Sequence, residues 1–291
     1  MLIPFLAACT ADWQKYTADA EADGLLRRER APADAPYNSE DLLRAFELIA
    51  FSFETDPFRT GVPETGERPE IIRKVLQGPD VLVVNDDTRA RAKLANRTRA
   101  YLDRLAGITG LDPVLFTDPA AFADARGDRT RVLLLQANEA EYRRLGNPVT
   151  LDSVFAQAGR GAIWFSGTVE RWRQSRSPCG GRIVVSDGSR PDRPKGEILF
   201  AILMIREPIP DLLLESCIEE ELAQVLGLLN DDPSLRPSIF NDDAEFALLT
   251  DHDAALLSLL YDPQIRPGMG KAEALEIIRT LLAEQPAGSS G

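Results

Sequence analysis

The segment CIEEELAQVLGLLND, residues 217–231, decides how the rest of the chain is interpreted. Glu220 and Gln224 lie four residues apart in it, so on a helix their side chains share one face and can reach one point in space. Glu221 is rotated by about 100° from Glu220. Gly227 follows three residues after Gln224 and would let the chain leave the helix. The spacing predicts a helix that presents two polar side chains, one turn apart, to a common site.

Another face of the same helix is apolar. Its residues recur near i, i+4, i+8 and i+11 and are Leu214, Ile218, Leu222 and Val225. Such a stripe is typical of a helix that packs on a sheet. Pro210 is a residue that favours the start of a helix, and the predicted helix runs from there to about Leu228.

Further strands and helices alternate on both sides of this helix. Five apolar runs predict strands: DVLVVN (80–85), RVLLLQ (131–136), AIWFSGTVE (162–170), GRIVVSD (181–187) and GEILFAILMIRE (196–207). Helices are predicted at 38–53, 251–262 and 271–283; Asn38 or Ser39 can cap the first, and Thr250 with Asp253 forms a capping-box pattern for the second. This order predicts an α+β fold, a single domain with a mixed sheet and packed helices.

The composition is ordinary for a globular domain and argues against one class of partner. The 291 residues carry a net charge of −13, with 44% apolar and 27% charged residues. Nucleic-acid binding needs clustered Lys and Arg, so we expect no nucleic-acid partner. The one basic run, Arg89 to Arg104, has apolar residues at roughly helical spacing and is interpreted as the solvated face of a helix.

The first nine residues, MLIPFLAAC, predict a lipid anchor. A short apolar run that ends in small residues before a cysteine is typical of a bacterial lipoprotein signal, cut before Cys9, whose thiol then carries the lipid. The positively charged start of such signals is missing, so either the start codon is assigned too late or the likeness is chance. The expected location is the periplasmic side of the cell envelope, anchored to the membrane by lipid; the alternative is a soluble periplasmic or secreted protein.

The remaining organisation is simple. Residues 1–9 are predicted to be the signal, 10–36 an acidic and Ala-rich tether with some helical character, 37–284 one domain, and 285–291 a flexible tail.

In an exported protein Cys179 and Cys217 are expected to form a disulfide, which would tie the loop SRSPCGG to the start of the central helix. The alternative is a pair of unpaired buried thiols in a cytosolic protein.

The central helix resembles the catalytic end of the metzincin zinc peptidases, especially their matrixin-like bacterial members, whose motif is H-E-x-x-H-x-x-G-x-x-H or D. Glu220 stands at the first histidine, Glu221 at the glutamate base, Gln224 at the second histidine, Gly227 at the glycine and Asn230 at the third ligand. The resemblance implies a zincin-like fold, in which two residues one turn apart grip a metal and the glutamate polarises its water.

Two later stretches extend the resemblance. PSIFND, residues 237–242, stands where those enzymes place Ser-Ile-Met in the turn beneath the zinc, with Phe240 at the methionine. LLTDHDAALLSLLYDP, residues 248–263, resembles their closing helix. Over most of its length the chain is also similar to a group of uncharacterised envelope proteins of alphaproteobacteria, a domain of unknown function with the same Glu-Glu-x-x-Gln helix and ND after it.

The residues at the ligand positions do not suit zinc. Zinc sites are built from His and Cys with occasional carboxylates, whereas Glu220, Gln224 and Asn230 offer one carboxylate and two neutral amides. The single histidine, His252, begins the closing helix and is expected at the surface. A hard cation such as calcium or magnesium would suit this set better, if any metal binds. We expect no tightly bound zinc, no other cofactor and no zinc-dependent hydrolysis.

Three functions are compatible with this pattern. In the favoured one, a degenerate peptidase-like envelope lipoprotein binds or scaffolds an extended peptide or envelope polymer without cutting it, with the three ligand-position residues as the binding site. In the second, the chain is an active hydrolase in which Glu221 is the base and Glu220, Asp231 or Asp243 assists, although adjacent helical carboxylates point apart. In the third, the protein is purely structural, and Glu221 bonds to loop amides of NDDPS or FNDD.

Overall fold

The computed structural model describes residues 12–51, 70–125, 127–145, 162–175, 177–241 and 243–284. The predicted signal with Cys9 and the predicted tail, 285–291, lie outside these ranges. The described residues form a single α+β domain around one five-stranded mixed sheet, which confirms the predicted fold class.

The sheet runs in the order β2-β1-β3-β5-β4. Its strands are β1 (Asp80–Val84), β2 (Val114–Phe116), β3 (Arg131–Ala137), β4 (Cys179–Val185) and β5 (Ile198–Arg206). The first four strands in this order are parallel, and β4 pairs antiparallel with β5 at one edge. The long apolar strand β5 therefore lies between the parallel part of the sheet and the antiparallel edge strand.

Nine helices lie within the described ranges. They are α1 (Trp13–Ala22), α2 (Ser39–Ala50), α3 (Thr88–Thr109), α4 (Pro119–Asp124), α5 (Glu139–Leu145), α6 (Ala162–Gln174), α7 (Asp211–Val225), α8 (Asp251–Leu260) and α9 (Lys271–Glu284). The predicted caps are confirmed, because Asn38 and Thr250 each form a capping box, with Asp41 and Asp253 respectively.

Helices cover both faces of the sheet. On β3, Val132 and Leu134 join the larger hydrophobic cluster, together with residues of α2, α3, α7, α8 and α9. Leu133 and Leu135 point the other way, into a smaller cluster with residues of α4, α5 and α6. Burial on both faces explains why the central strands are continuous apolar runs rather than alternating patterns.

One predicted strand is wrong. The run AIWFSGTVE, residues 162–170, is the first part of helix α6. Val169 and Trp172 lie three residues apart, so a helix brings both to one face, and both are fully buried in the smaller cluster. Packing of this face against the sheet outweighs the strand preference of the aromatic and β-branched residues.

The segment that precedes α2, expected as a tether, is held against the domain. Residues 13–22 form α1, which agrees with the expected helical character. Beyond it, the Arg27 amide donates to the Glu245 carbonyl and the Ala247 amide donates to the Arg27 carbonyl, both at 2.8 Å. Leu26 is only 3% exposed. The described part of this segment therefore contributes hydrogen bonds and buried area to the domain.

A disulfide joins the edge strand β4 to α7. Cys179 and Cys217 are bonded with a Cα–Cα distance of 5.7 Å, within the usual range, which confirms the predicted pairing. Both residues are buried in the larger hydrophobic cluster. The bond fixes the beginning of β4 beside the helix that carries the candidate site.

Loss of this disulfide should lower the free energy of unfolding by about 2–4 kcal/mol, because the bond restricts the unfolded chain over a separation of 38 residues. Urea unfolding of the double variant Cys179→Ala/Cys217→Ala measures the effect. A reductant should lower the midpoint of the wild-type protein and leave that of the double variant unchanged. Identical midpoints for oxidised and reduced wild-type protein would contradict the prediction.

A buried lysine holds segment 70–75 against the end of α8. Lys74 is 6% exposed, and its Nζ donates to the carbonyls of Leu260 at 2.7 Å and Ile265 at 3.0 Å. Burial lowers the pKa of Lys74 to about 8, with a smaller opposing effect from Asp262. The folded protein therefore binds this proton less tightly than the unfolded chain does.

The stability of the wild-type protein relative to a Lys74→Met variant should rise with pH. Between the folded pKa of about 8 and the unfolded value of about 10.4, the unfolded chain binds more protons, so raising the pH favours the folded state. Urea unfolding should show the difference in free energy growing by about 2 kcal/mol from about pH 8 to about pH 10. A difference that does not change over this interval would show that Lys74 titrates normally.

Candidate functional site

Helix α7 positions the candidate site. It begins at Asp211, directly after Pro210, and ends at Val225, close to the predicted bounds. The predicted apolar stripe is confirmed, because its four residues, Leu214, Ile218, Leu222 and Val225, are each at most 2% exposed. The four residues belong to the larger hydrophobic cluster, and α7 packs on α3, β4 and β5. The polar residues of the motif are thereby directed to the sides of the helix.

Glu221 lies in the narrow space between α7 and β4. The residue is only 1% exposed. A Cβ atom added at Gly181 of β4 would lie 2.9 Å from Glu221 Oε2 and 2.6 Å from Leu203 Cδ2. The glycine therefore allows the carboxylate to approach the strand backbone. A carboxylate at this depth requires polar partners, so Glu221 is part of a packed polar arrangement rather than of an exposed surface.

Gln224, at the position of the second metal ligand, is bonded to the loop that follows α7. Its Nε2 donates to Asp231 Oδ1 at 2.9 Å, and the residue is 4% exposed. Asp231 was predicted only as a possible helper of a hydrolase. In the structure it is the acceptor of the hydrogen bond from the Gln224 amide. This bond holds the loop against the side of the helix that carries the motif.

The other motif residues are partly accessible. Glu220 and Asn230 are both half-buried. The Nδ2 of Asn230 donates to the Leu48 carbonyl of α2 at 3.3 Å, so its amide group is directed toward that helix. Gly227 has φ +125°, a conformation that favours glycine, and this confirms its predicted role where the chain leaves the helix.

The turn that contains Phe240 is joined to this same loop. Phe240 is fully buried, and its carbonyl accepts a hydrogen bond from the amide of Asp232 at 3.0 Å. Asp232 directly follows the partner of Gln224. Asp243, the other helper considered for a hydrolase, is exposed, and its amide donates to Asn241 Oδ1 at 2.8 Å within a turn.

Asp253 of α8 fixes the Phe240 turn from the other side. Its carboxylate is fully buried and accepts four hydrogen bonds. The donors are the Ser238 hydroxyl at 2.6 Å, the Ile239 amide at 2.9 Å, the Thr250 amide at 2.9 Å and the Thr250 hydroxyl at 2.8 Å. The capping box of α8 therefore also positions the turn that contains Phe240.

The sequence did not single out Glu219, which forms an ion pair and a backbone hydrogen bond from α7. Glu219 is 3% exposed and forms a two-pronged ion pair with Arg30, at 2.6 and 2.8 Å. Its Oε2 also accepts from the Leu249 amide at 2.8 Å. No local pattern predicts this contact, because Arg30 is 189 residues away in a segment that was interpreted as a tether.

His252 is buried, so the expectation of a surface position is wrong. The residue is 1% exposed. Its ring packs edge-on against Tyr37, with ring centroids 5.0 Å apart, and its Nδ1 lies 3.6 Å from Asp253 Oδ1. Tyr37, in the segment before α2, covers the start of α8. The pattern of the helix alone does not predict this contact.

The described residues contain neither a cluster of metal-ligating side chains nor a helix that could span a membrane. Among these residues, no group of three or more His, Cys, Asp or Glu side chains is arranged to hold a metal ion. None of the helices that the structure describes combines the length and apolar character required to cross a bilayer.

Comparison with known proteins gives one match. No curated protein and no solved structure is significantly similar to the chain. The model of a family described as "Protein of unknown function (DUF2927)" matches residues 39–280. This match includes the whole sheet, α7 and the Phe240 turn. The chain therefore belongs to the DUF2927 family.

Proposed function

We propose that this chain is a non-catalytic binding or scaffold protein of the cell envelope, built on a peptidase-like frame. The observation that carries the proposal is the Gln224–Asp231 hydrogen bond. At the position where a metzincin has its second histidine, this chain has a 4% exposed amide that is bonded to the neighbouring loop. Such an amide stabilises the loop and is a poor ligand for zinc.

The proposed ligand is an extended peptide or envelope polymer that lies along β4. Among the described strands, β4 pairs only with β5, so its other side is a sheet edge, and an edge strand can accept another strand through its backbone groups. The disulfide holds this edge beside α7, and Gly181 brings the strand close to Glu221. Glu220, which is half-buried, would contact the ligand from the helix.

The proposed location is the periplasmic side of the envelope, with a lipid anchor at Cys9. The disulfide supports export, because such bonds form and persist in oxidising compartments. Mass spectrometry of the mature N-terminus tests the anchor: a lipid-modified Cys9 is expected. An unmodified N-terminus on exported protein would favour the soluble periplasmic or secreted alternative.

The absence of zinc-dependent catalysis can be tested directly. Protein purified from the periplasm should contain far less than one zinc per chain by elemental analysis, and added zinc should not induce cleavage of a fluorescent casein substrate. Cleavage that is lost in Glu221→Gln would overturn the proposal and support the active hydrolase. One tightly bound zinc per chain would overturn the expectation about the ligand set.

Binding distinguishes the favoured function from a purely structural one. The burial of Glu221 and Gln224 also fits the structural alternative, so we would screen an array of extended peptides and peptidoglycan fragments for binding. Glu221→Ala should abolish binding while the circular dichroism spectrum stays unchanged. The control is Glu276→Ala, which removes an exposed carboxylate from α9. A folded Glu221→Ala protein that binds normally would refute this placement of the site.

A further inference from the structure

A cleft lies along the side of α7 that carries Glu215 and Glu219. It has a volume of about 440 Å³ and is bounded by α3, α7 and the N-terminal segment. Its α3 wall includes Asn96, Arg97, Tyr101 and Arg104, which recur at helical spacing on one face, and Arg30 closes one end. Part of the basic run that the sequence predicts as a solvated helix face therefore lines a cleft.

Two of the three arginines in the cleft are already neutralised. Arg30 forms its two-pronged ion pair with Glu219, at 2.6 and 2.8 Å. Arg97 bonds to Asp211 Oδ2 at 3.0 Å and to Glu215 Oε2 at 3.2 Å. The third arginine, Arg104, has a longer ion pair, with Asp251, and is therefore the easiest of the three for a ligand to engage.

Arg104 is the arginine that is weakly engaged. Its Nη2 reaches the Leu249 carbonyl and Asp251 Oδ1 only at 3.5 Å each, the limit of a hydrogen bond. Its Nε is buried and has no hydrogen-bond partner among the described residues. A buried N–H of a guanidinium without an acceptor is unfavourable, so this position favours an acceptor from outside the chain.

Tyr101 provides a second buried donor without a partner. The residue is 4% exposed, and within the described structure its Oη forms no hydrogen bond. Burial raises the pKa of Tyr101 well above its usual value, with further contributions from Glu219 and Asp253, while Arg104 and Arg30 act in the opposite direction. The hydroxyl therefore stays protonated, and Tyr101 is one of the residues that line the cleft.

We propose that this cleft binds a small organic carboxylate. One carboxylate oxygen would accept from the Tyr101 hydroxyl and the other from Arg104 Nε, and the rest of the ligand would lie on Ala100 and Ile218. Arg104 has the longest ion pair of the three arginines, to Asp251 at 3.5 Å, so the carboxylate of a ligand can compete for its guanidinium. A dianion such as phosphate would also meet the repulsion of Glu215 and Glu219.

The site is independent of the function proposed above. Glu219 and Glu221 are two residues apart on α7, so their side chains point to nearly opposite sides of the helix, about 200° apart. Glu219 faces α3 and Glu221 faces β4. The cleft can therefore bind a carboxylate whether or not a peptide binds along β4.

Isothermal titration calorimetry with the full chain tests the proposal. The probes are benzoate, hexanoate and glutarate at millimolar concentration, with benzamide and hexanamide as uncharged counterparts and inorganic phosphate as the competing anion. At least one carboxylate should bind saturably, and its amide should not. Tyr101→Phe and Arg104→Gln should each weaken binding by about tenfold to a hundredfold, the effect of losing one hydrogen bond to a charged group.

The matched control is Arg99→Gln, which removes an exposed arginine from the same helix and should leave the affinity unchanged. Tyr101→Phe is expected to fold, because the hydroxyl that it removes has no partner in the described structure. The proposal is overturned if no carboxylate binds saturably, if amides or phosphate bind as well as the carboxylates, or if Arg99→Gln weakens binding as much as Arg104→Gln does.

Discussion

Replacing Gly227 by alanine should lower the free energy of unfolding by about 3–5 kcal/mol, from backbone strain and overpacking together. Gly227 has φ +125°, which L-residues with side chains rarely adopt. A Cβ at this position would also lie 2.1 Å from the Arg73 carbonyl oxygen and 3.0 Å from Leu260 Cδ2. Either the turn after α7 or segment 70–75 would have to move.

Segment 70–75 cannot easily retreat from such a Cβ. On one side of Arg73, the Ile72 amide donates to the Met269 carbonyl at 2.8 Å, and the Ile72 carbonyl accepts from Gly268 at 2.9 Å. On the other side, the Lys74 amide donates to the Gly196 carbonyl at 3.1 Å. Moving the Arg73 carbonyl would break backbone bonds on both sides, so we expect the strain to remain in the folded state.

Urea unfolding of Gly227→Ala measures this effect, and Gly24→Ala is the matched control. Gly24 also has a positive φ, +79°, but a Cβ there would have nothing within 4 Å. The control should lose only the conformational contribution, about 1–2 kcal/mol. Equal losses for the two variants would show that the close approach to Arg73 contributes nothing, and that the turn relaxes freely.

The sequence predicts the parts of the fold that depend on local pattern. The central strands are buried on both faces, and their continuous apolar runs identify β1, β3 and β5. Strand β2 was missed, because its three residues are too few to show a pattern. The start of α6 was mistaken for a strand because aromatic and β-branched residues favour strands, and the packing that makes this segment a helix is tertiary.

The candidate site was predicted only in part, because helical spacing predicts faces of a helix but not tertiary contacts. Helical spacing identifies the buried stripe, the face that carries Gln224 and the exit of the chain at Gly227. It does not identify the partner of each polar group. Asp231 bonds to Gln224 from a loop, and Tyr37 covers His252 from a segment more than 200 residues earlier in the chain. Such contacts depend on the tertiary fold, and a single sequence contains no periodic signal for them.

Helix α7 separates the ion pair with Arg30 from the proposed peptide site. The Glu-Glu-Glu run places Glu219, Glu220 and Glu221 about 100° apart around the helix. The first binds Arg30 of the N-terminal segment, and the third lies against β4. Changes at these two positions should therefore affect different properties: attachment of the N-terminal segment in one case and the proposed peptide site in the other.

Replacing Glu219 by alanine should lower the free energy of unfolding by about 3–5 kcal/mol, because it removes one member of a buried ion pair. The change leaves the guanidinium of Arg30 without its carboxylate and the buried Leu249 amide without its acceptor. The Arg30 carbonyl also accepts from the Asp251 amide at 2.7 Å, so loss of the pair weakens the attachment of this segment to the start of α8.

A double-mutant cycle distinguishes the ion pair from simple loss of packing. Arg30→Met/Glu219→Met replaces both charges by apolar side chains of similar length, and it should be clearly more stable than either single variant. Urea unfolding gives the coupling energy, and limited proteolysis between α1 and α2 should be faster in Glu219→Ala. If the two single effects simply add in the double variant, the ion pair contributes nothing to stability and does not hold the N-terminal segment to the domain.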